Sequence, residues 1–457
     1  MFIMGIATWV EHWQGTPWVT RYIYHSSIFL LMWALLAILT LVALHRLEMW
    51  RKFSVWMLHL SFIIILAGAG ISYFTSQKGQ LHLRIGASAF RFMEQETQVM
   101  KDMPFVLRLD TFWVESHPET GTPVDYVSWV TCLPKKGGHD FSVGISMNRI
   151  LKHQGYRFYQ SSYDEDGRGS WLMVNYDPWG TPVTYVGYLL FALSMLGVML
   201  STDSIYRKVF HHPALSRGIM FGGLLRKSAK LQGIFNALLL LVLLFQGGTY
   251  LYRWYVGGRI PLGNVYETML FLSVCVLALA WVLRRRFPFV VLFGLLLSGC
   301  WQLVPRMMGL DSQIAPLAPV LSSSWLCVHV SFIMIAYAFL CFIGLNALLG
   351  LYLPAEAGRL RLFSRVLLYP ALLFLGTGIF LGAMWANVSW GSYWAWDPKE
   401  VWALITFMLY AVAFHCDSLS WLSHPRAFHA YLLLASMAVL MTYFGVNFLL
   451  GGMHSYM

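Results

Sequence analysis

Ten strongly apolar segments, separated by polar connections, constrain this chain more than any other feature of its sequence. A membrane-spanning α-helix needs about 17–25 such residues, and a bilayer forces their backbone groups to bond within the segment. The chain has 457 residues, of which 58% are hydrophobic and 12% are charged. These features predict a polytopic α-helical membrane protein with about ten transmembrane helices. The predicted spans are 26–44, 53–74, 183–201, 232–252, 265–283, 288–304, 324–350, 366–386, 398–416 and 429–450.

One long polar region, residues 75–181, interrupts this pattern between the second and third spans. Apolar and polar residues alternate within it, as in 105–109 and 171–174, and Gly and Pro lie between these stretches. Such alternation is typical of β-strands with one buried face. The sequence therefore predicts one β-rich domain inserted near the N-terminus.

The basic residues indicate how the spans are oriented. The net charge is +11, but Lys and Arg concentrate in alternate connections, notably 45–52, 202–231, 284–286 and 359–365. Cytoplasmic loops are enriched in Lys and Arg, so we assign these connections to the cytoplasm. The β-rich region, the connection before residue 398 and the C-terminus are then extracytoplasmic. Because the charge is explained by topology, a nucleic-acid partner is not expected.

The densest aromatic stretch of the chain lies in one of the external connections. We call residues 390–397 the tryptophan-rich loop; its aromatic residues are Trp390, Tyr393, Trp394 and Trp396. An interfacial aromatic belt could explain clustered tryptophans. Such a belt does not need Gly391 or an adjacent acid, whereas a loop of flat rings suits a large planar apolar ligand.

The end of this loop has the pattern of a helix start. Asp397 is a favourable N-cap, Pro398 suits the first helical position, and Glu400 can reach back as the third residue of a capping box. The predicted helix continues through the apolar segment 401–414 and ends near His415. The preceding aromatic residues are therefore predicted to form an irregular loop that Asp397 holds in place.

These residues resemble a known family. The stretch WGSYWAWDPKEVW, residues 390–402, resembles the tryptophan-rich signature of the WWD haem-handling membrane proteins in cytochrome c maturation. Residues 445–456, GVNFLLGGMHSY, resemble the end of the CcsA branch, and residues 148–164 resemble the extracytoplasmic domain of its partner CcsB, also called ResB. The resemblance implies a fused CcsB–CcsA cytochrome c synthase of the System II type, in a bacterial cytoplasmic (inner) membrane.

The resemblance also implies how the chain is divided. Residues 1–205 would form the CcsB-like half, which contains the β-rich domain 75–181. Residues 206–231 would form a cytoplasmic junction, and 232–457 the CcsA-like half. A transmembrane helix would lead into the first half, and the apolar residues 1–10, too short to span a bilayer, would be its tail.

The predicted topology places four histidines in two pairs, and the members of each pair lie at a similar depth in the membrane. His329 lies near the outer end of its span, and His454 lies just beyond the last span, also outside. His59 and His415 both lie toward the inner leaflet, at about 10 Å and 25 Å along helices entered from opposite sides. Neutral imidazole is a usual axial ligand of haem iron. A structural hydrogen bond is the alternative for any single histidine, but the pairing by depth favours two haem positions.

The resemblance implies a route for haem b and a role for each residue. Haem would enter through His59 and His415 and reach an external site where His329 and His454 ligate its iron. Trp390, Gly391, Tyr393, Trp394 and Trp396 would shape the haem face, with Asp397 fixing the loop. A CxxCH segment of apocytochrome c would then form thioethers with the haem vinyl groups. No residue is singled out as a general acid or base.

The expected partners are apocytochrome c, membrane lipid and separate thiol-reduction proteins. The six cysteines contain no CxxC pair, so this chain has no recognisable dithiol motif. Two other functions stay open at this point. One is a haem exporter or haem-delivery protein without ligation activity, and the other is a b-type electron-transfer cytochrome, although no predicted span carries two well-placed histidines.

Overall fold

The membrane part of the molecule is a bundle of long helices. The computed structural model describes residues 1–95, 97–117, 121–135, 138–216, 229–314, 317 and 319–450. Within these ranges, nine helices are long and apolar enough to cross a membrane. A further apolar helix, Pro398–Phe414, has 17 residues, which is at the lower limit of about 17 for a span. The predicted polytopic helical fold is confirmed.

The bounds of these helices follow the predicted spans closely. The nine are Ser27–Arg46, Phe53–Thr75, Gly180–Leu200, Ala229–Gly257, Val265–Leu283, Val290–Met307, Ser324–Tyr352, Ala357–Ser389 and Pro425–Leu440, the last continued by a π-helix over Met441–Leu450. Ala357–Ser389 is longer than the predicted segment 366–386, because its first turns carry Arg359, Arg361 and Arg365 beyond the apolar stretch. Hydropathy locates the apolar part of a helix and misses its charged ends.

The predicted β-rich domain is also confirmed, as one antiparallel eight-stranded sheet. The strands are β1 Gln77–Arg84, β2 Ser88–Glu94, β3 Met100–Ser116, β4 Pro123–Pro134, β5 Phe141–Ile145, β6 Leu151–His153, β7 Tyr156–Tyr163 and β8 Gly169–Tyr176. Their order in the sheet is β5-β4-β3-β2-β1-β8-β7-β6. Alternate residues of β3, including Phe105, Leu107 and Leu109, are fully buried, as the alternating pattern predicted.

Aromatic rings join the helices of the first half to those of the second. Phe191, on the helix Gly180–Leu200, contacts Phe380 and Phe407 with ring centroids 5.1 and 5.8 Å apart. Phe62, on the helix Phe53–Thr75, lies 6.0 Å from Phe407. Buried aromatic contacts of this kind add to the area that they remove from water or lipid. The two predicted halves therefore share one packed core.

The N-terminal segment, residues 2–24, packs against the helix that follows the tryptophan-rich loop. It comprises the helices Phe2–Gln14 and Thr16–Val19 and a π-helix over Thr20–Tyr24. With 13 residues, Phe2–Gln14 is too short to cross a bilayer. Its residues Met4 and Ala7 are buried in a cluster with Val401 and Ile405.

The predicted junction 206–231 lies only partly within the described residues. The structure places short helices at Ile205–Phe210 and Pro213–Ser216, and residues 217–228 lie outside the described ranges.

Candidate functional site

The helix start after the tryptophan-rich loop is built largely as predicted. The buried Asp397 is the N-cap of the helix Pro398–Phe414, and its Oδ1 accepts from the Lys399 N–H at 2.9 Å. Glu400 differs from the expected capping box. Its Oε2 accepts from the Ala395 N–H at 2.9 Å, two residues before the cap. The two carboxylates therefore hold both the helix end and the loop backbone leading into it.

Trp396 sits in an unusual backbone conformation and is packed against the N-terminal segment. Its φ of 61° lies in the left-handed region, which is a genuine outlier for a bulky side chain. The indole stacks on Tyr24, with centroids 4.5 Å apart and planes at 10°, and meets Phe29 edge-on at 5.2 Å. The sequence predicted a ring offered to a ligand; the structure covers one face of that ring with Tyr24.

The opposite end of the loop rests on the β-rich domain. Gly391 has φ 77°, and a Cβ there would lie 2.9 Å from the Tyr159 ring, so neither the conformation nor the space admits a larger residue. Asn175 Nδ2 donates to the Gly391 carbonyl, and Lys78 Nζ donates to Ser392 Oγ at 3.1 Å. These contacts fix the loop to β1, β7 and β8.

The middle of the loop contacts the helix Phe53–Thr75. The Tyr393 hydroxyl donates to Ser72 Oγ at 3.0 Å, and Ser72 in turn donates to Asp177 Oδ2 at 2.7 Å. Trp394 meets Trp396 edge-on at 5.8 Å, and Trp390 lies 4.8 Å from Trp385. The loop is therefore held by the N-terminal segment, the second span and the sheet together, which no local sequence pattern indicated.

His329 is oriented by the neighbouring helix Ala357–Ser389. Its Nδ1 lies 2.7 Å from the Gly378 carbonyl, which only accepts, so the proton sits on Nδ1 and the lone pair on Nε2. A Cβ at Gly382 would lie 2.6 Å from the His329 Cε1 and 2.7 Å from its Nδ1. Because Gly382 has no side chain, the His329 ring can occupy this position. The predicted partner His454 lies outside the described residues.

His59 and His415 meet across the two halves. Their ring centroids are 6.3 Å apart, with planes at 64°. His59 Nδ1 donates to the Val55 carbonyl at 2.8 Å, which leaves the lone pair on Nε2. A metal bound by two imidazoles at about 2 Å each would place their centroids about 6 Å apart. The two histidines that the sequence paired by depth thus lie next to each other, and the separation of their rings is close to that distance.

The histidines of the β-rich domain have structural partners instead. His82 stacks on Trp171 at 4.3 Å and bonds to Asp164 at 3.0 Å. This hydrogen bond is the main cause that lowers the pKa of the Asp164 carboxyl. His153 packs edge-on against Phe105 at 4.8 Å. In the described ranges, no three or more His, Cys, Asp or Glu side chains group as a metal site.

A buried acid that the sequence did not single out lies in the N-terminal segment. Glu11 is 7% exposed and accepts from the Thr16 hydroxyl at 2.8 Å. Burial raises the pKa of its carboxyl to about 6, the Thr16 bond opposes this, and the charge of Asp397 adds to it. The carboxyl is thus electrostatically linked to the cap of the tryptophan-rich loop.

Two family models match this chain in separate regions. The model described as the ResB-like family matches residues 48–177, and the model described as Cytochrome C assembly protein matches residues 262–454. The first match covers the sheet and the second span. The second match covers the helices that carry His329, the tryptophan-rich loop and His415.

Curated relatives match about half of the chain. Protein NrfI of Wolinella succinogenes is 38% identical over 220 residues, which are 45% of this chain and 24% of NrfI. Cytochrome c biogenesis protein CcsA of Chlamydomonas reinhardtii is 34% identical over 248 residues, covering 50% of this chain and 67% of that protein. The CcsA protein of Parasynechococcus marenigrum is 34% identical over 265 residues, covering 49% and 86%. The matched part thus spans about a quarter of NrfI and most of the CcsA proteins.

Proposed function

This chain belongs to the cytochrome c biogenesis family, as a fusion of a ResB-like and a CcsA-like half, and on that premise we propose that it is a holocytochrome c synthase that also carries haem across the membrane. In this proposal, haem b is the cargo. It is received at His59 and His415, moves to an external site at His329 and His454, and is attached there to apocytochrome c. The protein resides in a bacterial cytoplasmic membrane, with the tryptophan-rich loop, the sheet and the C-terminus outside.

The observation that carries the proposal is the His59–His415 pair. The two rings come from different halves of the chain and lie with their centroids 6.3 Å apart and their planes inclined at 64°. A hydrogen bond to a carbonyl fixes which nitrogen of His59 holds the lone pair. Outer-shell bonds of this type orient metal-ligating histidines in general. His329 has the same arrangement through the Gly378 carbonyl, which supports a second ligating position.

The proposed chemistry at the external site requires no general acid or general base from this chain. In each of two additions, a cysteine thiol of CxxCH adds across one haem vinyl group. An S–C bond forms at one vinyl carbon, the thiol hydrogen goes to the other, and no oxidant or reductant is consumed. The chain's contribution is to hold the haem while the histidine of CxxCH replaces one iron ligand. The cysteines must arrive reduced, which is assigned to separate thiol-reduction proteins.

The tryptophan-rich loop is proposed to present a stable surface to the haem. Its contacts with Tyr24, Asn175 and Ser72 hold its backbone from three sides. A site that is fixed before the substrate arrives loses less conformational entropy when the substrate binds. Trp390, Tyr393 and Trp394 are the proposed facing side chains, and Trp396 and Asp397 are proposed to hold the loop in position.

The test is co-expression with a CxxCH cytochrome, because only a synthase yields haem that stays on the polypeptide after denaturation. Wild-type protein purified from membranes should carry haem b with a bis-imidazole spectrum. Folded protein that stays colourless with ample haem would refute haem handling. Protein that holds haem but leaves the cytochrome without covalent haem would instead favour an exporter or delivery protein, or an electron-transfer cytochrome.

Imidazole rescue separates ligation from loop shape. His329→Ala should abolish covalent haem on the cytochrome, and added imidazole should restore part of it by taking the vacated ligand position. Trp396→Ala is the matched control, because it should weaken haem retention without removing a ligand and so should not respond to imidazole. Rescue of Trp396→Ala but not of His329→Ala would reverse these roles.

A further inference from the structure

Two arginines and one aspartate form a compact cluster beside the inner histidine pair. Arg361 and Arg365 lie one helical turn apart on the helix Ala357–Ser389. Both bind Asp417, with Nη2–Oδ1 3.0 Å from Arg361 and Nη2–Oδ2 2.6 Å from Arg365. Asp417 is two residues beyond His415 in the turn that ends the helix Pro398–Phe414. The cluster thus adjoins the position proposed to receive haem.

The burial of the three side chains is unequal. The Arg361 and Arg365 side chains are 16% and 13% exposed, whereas the Asp417 side chain is 60% exposed. Arg361 Nη1 also donates to the Ser423 carbonyl at 2.7 Å, while its Nε is buried and makes no hydrogen bond. Two fixed guanidinium groups therefore share one carboxylate that solvent reaches, and the cluster keeps one net positive charge.

The two arginines offer more hydrogen-bond donors than are needed to tie one helix to Asp417. An ion pair to a carboxylate as exposed as that of Asp417 contributes little to stability. Guanidinium groups are planar forks suited to carboxylates, and buried ones are expensive to leave partly unsatisfied. Two such groups on successive turns can bind two carboxylates. Besides the Ser423 carbonyl, the chain supplies them with one carboxylate, that of the exposed Asp417.

We propose that Arg361 and Arg365 recognise the propionate carboxylates of haem at the inner site, where a propionate takes the place of Asp417. The inference rests on the proposed function and adds a recognition element to it. His59 and His415 would hold the iron, and the two arginines would select a porphyrin that carries free carboxylates and set its orientation. Asp417 would keep the guanidinium groups aligned when no haem is bound.

The test compares haem with its dimethyl ester, in which both carboxylates are blocked. Binding is measured from the Soret band on full-length protein in lipid nanodiscs, in a His329→Ala background so that the inner site is reported. This background should bind haem at least about tenfold more tightly than the ester, the loss typical of a charged hydrogen bond. With Arg361→Gln and Arg365→Gln combined, haem should bind as weakly as the ester, while ester binding stays unchanged and shows that the site is folded.

Two further variants make the result decisive. Arg359→Gln removes a charge from the same helix that pairs with Glu356 instead, so it should keep the preference for haem. Asp417→Asn should also keep the preference or strengthen it, because the competing carboxylate is gone. Weak haem binding by Asp417→Asn, or a preference that survives both arginine substitutions, would overturn the inference and leave a structural staple.

If the proposed function itself is wrong, the same binding experiment gives a different result. If His415→Ala in the same background binds haem as well as its parent does, the inner histidines are not ligands, and the inference falls with them. If His415→Ala loses haem while the arginine variants keep their preference for it, the proposed function stands and the inference alone is wrong.

Discussion

The inner histidine pair and the tryptophan-rich loop differ in how firmly the rest of the chain holds them. His59 and His415 meet at the junction of two halves, and His415 is an exposed residue just past a helix end. The loop instead is fixed by a stacked Tyr24, by Asn175 and by Ser72, from three separate parts of the fold. One site is open and is made of few contacts, and the other is closed in by many.

This difference matches two different tasks in the proposed function. A receiving site must admit and release its cargo, and regions with few buried contacts open at low free-energy cost. A bond-forming site gains rate by holding its reactants in one geometry, where small displacements are costly. The backbone outlier at Trp396 fits the second task, since strained conformations persist where the surroundings over-determine them.

The largest expected effect is at the open site. His59→Ala and His415→Ala should each remove haem from the inner position and so lower occupancy of the external site. The haem content of purified protein, measured for each variant, tests this. The control is His424→Ala, an exposed histidine near the same end of the bundle. If both variants keep full haem and full activity, the two rings are packing residues and the comparison between the sites collapses.

The next largest effect is expected at the external site, where the neighbouring helix orients His329. Gly382→Ala would place a methyl group 2.6 Å from the His329 ring, so the ring must shift without being removed. Loss of such support typically costs about 10- to 100-fold in metal affinity, and we expect that loss in haem retention at the external site.

A matched glycine on the same helix provides the control for this prediction. Gly358 has no heavy atom within 4 Å of its Cβ position, so Gly358→Ala should leave haem retention unchanged. Equal retention by both variants would mean that the orientation of the His329 ring does not matter for haem.

Much of the fold followed from the sequence, because hydropathy and alternation are local properties. The spans, the sheet and the Asp397 cap were all predicted from neighbouring residues. The site was predictable only where depth along a helix sufficed, as for His59 and His415. The stack of Trp396 on Tyr24 and the Arg361–Asp417 pair join residues far apart in the chain, and nothing in a local pattern specifies which distant residues meet. Glu400 shows the same limit at short range, since its motif predicted a reach-back bond but not that the Ala395 N–H would be the donor.

A smaller effect concerns the packing of the N-terminal segment against the tryptophan-rich loop. Because the pKa of Glu11 is raised from 4.5 to about 6, the packed segment favours the protonated carboxyl. Its docking is strongest below pH 4.5 and weakens as pH rises through 6, by about 1 kcal/mol between pH 5 and 7. Hydrogen exchange of residues 2–24, corrected for intrinsic rates, should show this loss of protection. Glu11→Gln cannot lose a proton and should show a flat profile; a profile like that of the wild type would exclude Glu11 as its origin.

The smallest effect separates the two roles that Asp397 could play. Asp397→Ala removes a helix cap worth about 1 kcal/mol, so the loop from Tyr393 to Trp396 should loosen and external haem retention should fall modestly. Asp397→Asn keeps a good N-cap and removes only the charge, so it should retain haem like the wild type. Because the Asp397 charge contributes to the raised Glu11 pKa, Asp397→Asn should also shift the hydrogen-exchange transition of the N-terminal segment to lower pH. If Asn is as damaging to haem retention as Ala, Asp397 acts through its charge, and the closed site depends on electrostatics more than on the fixed backbone inferred here.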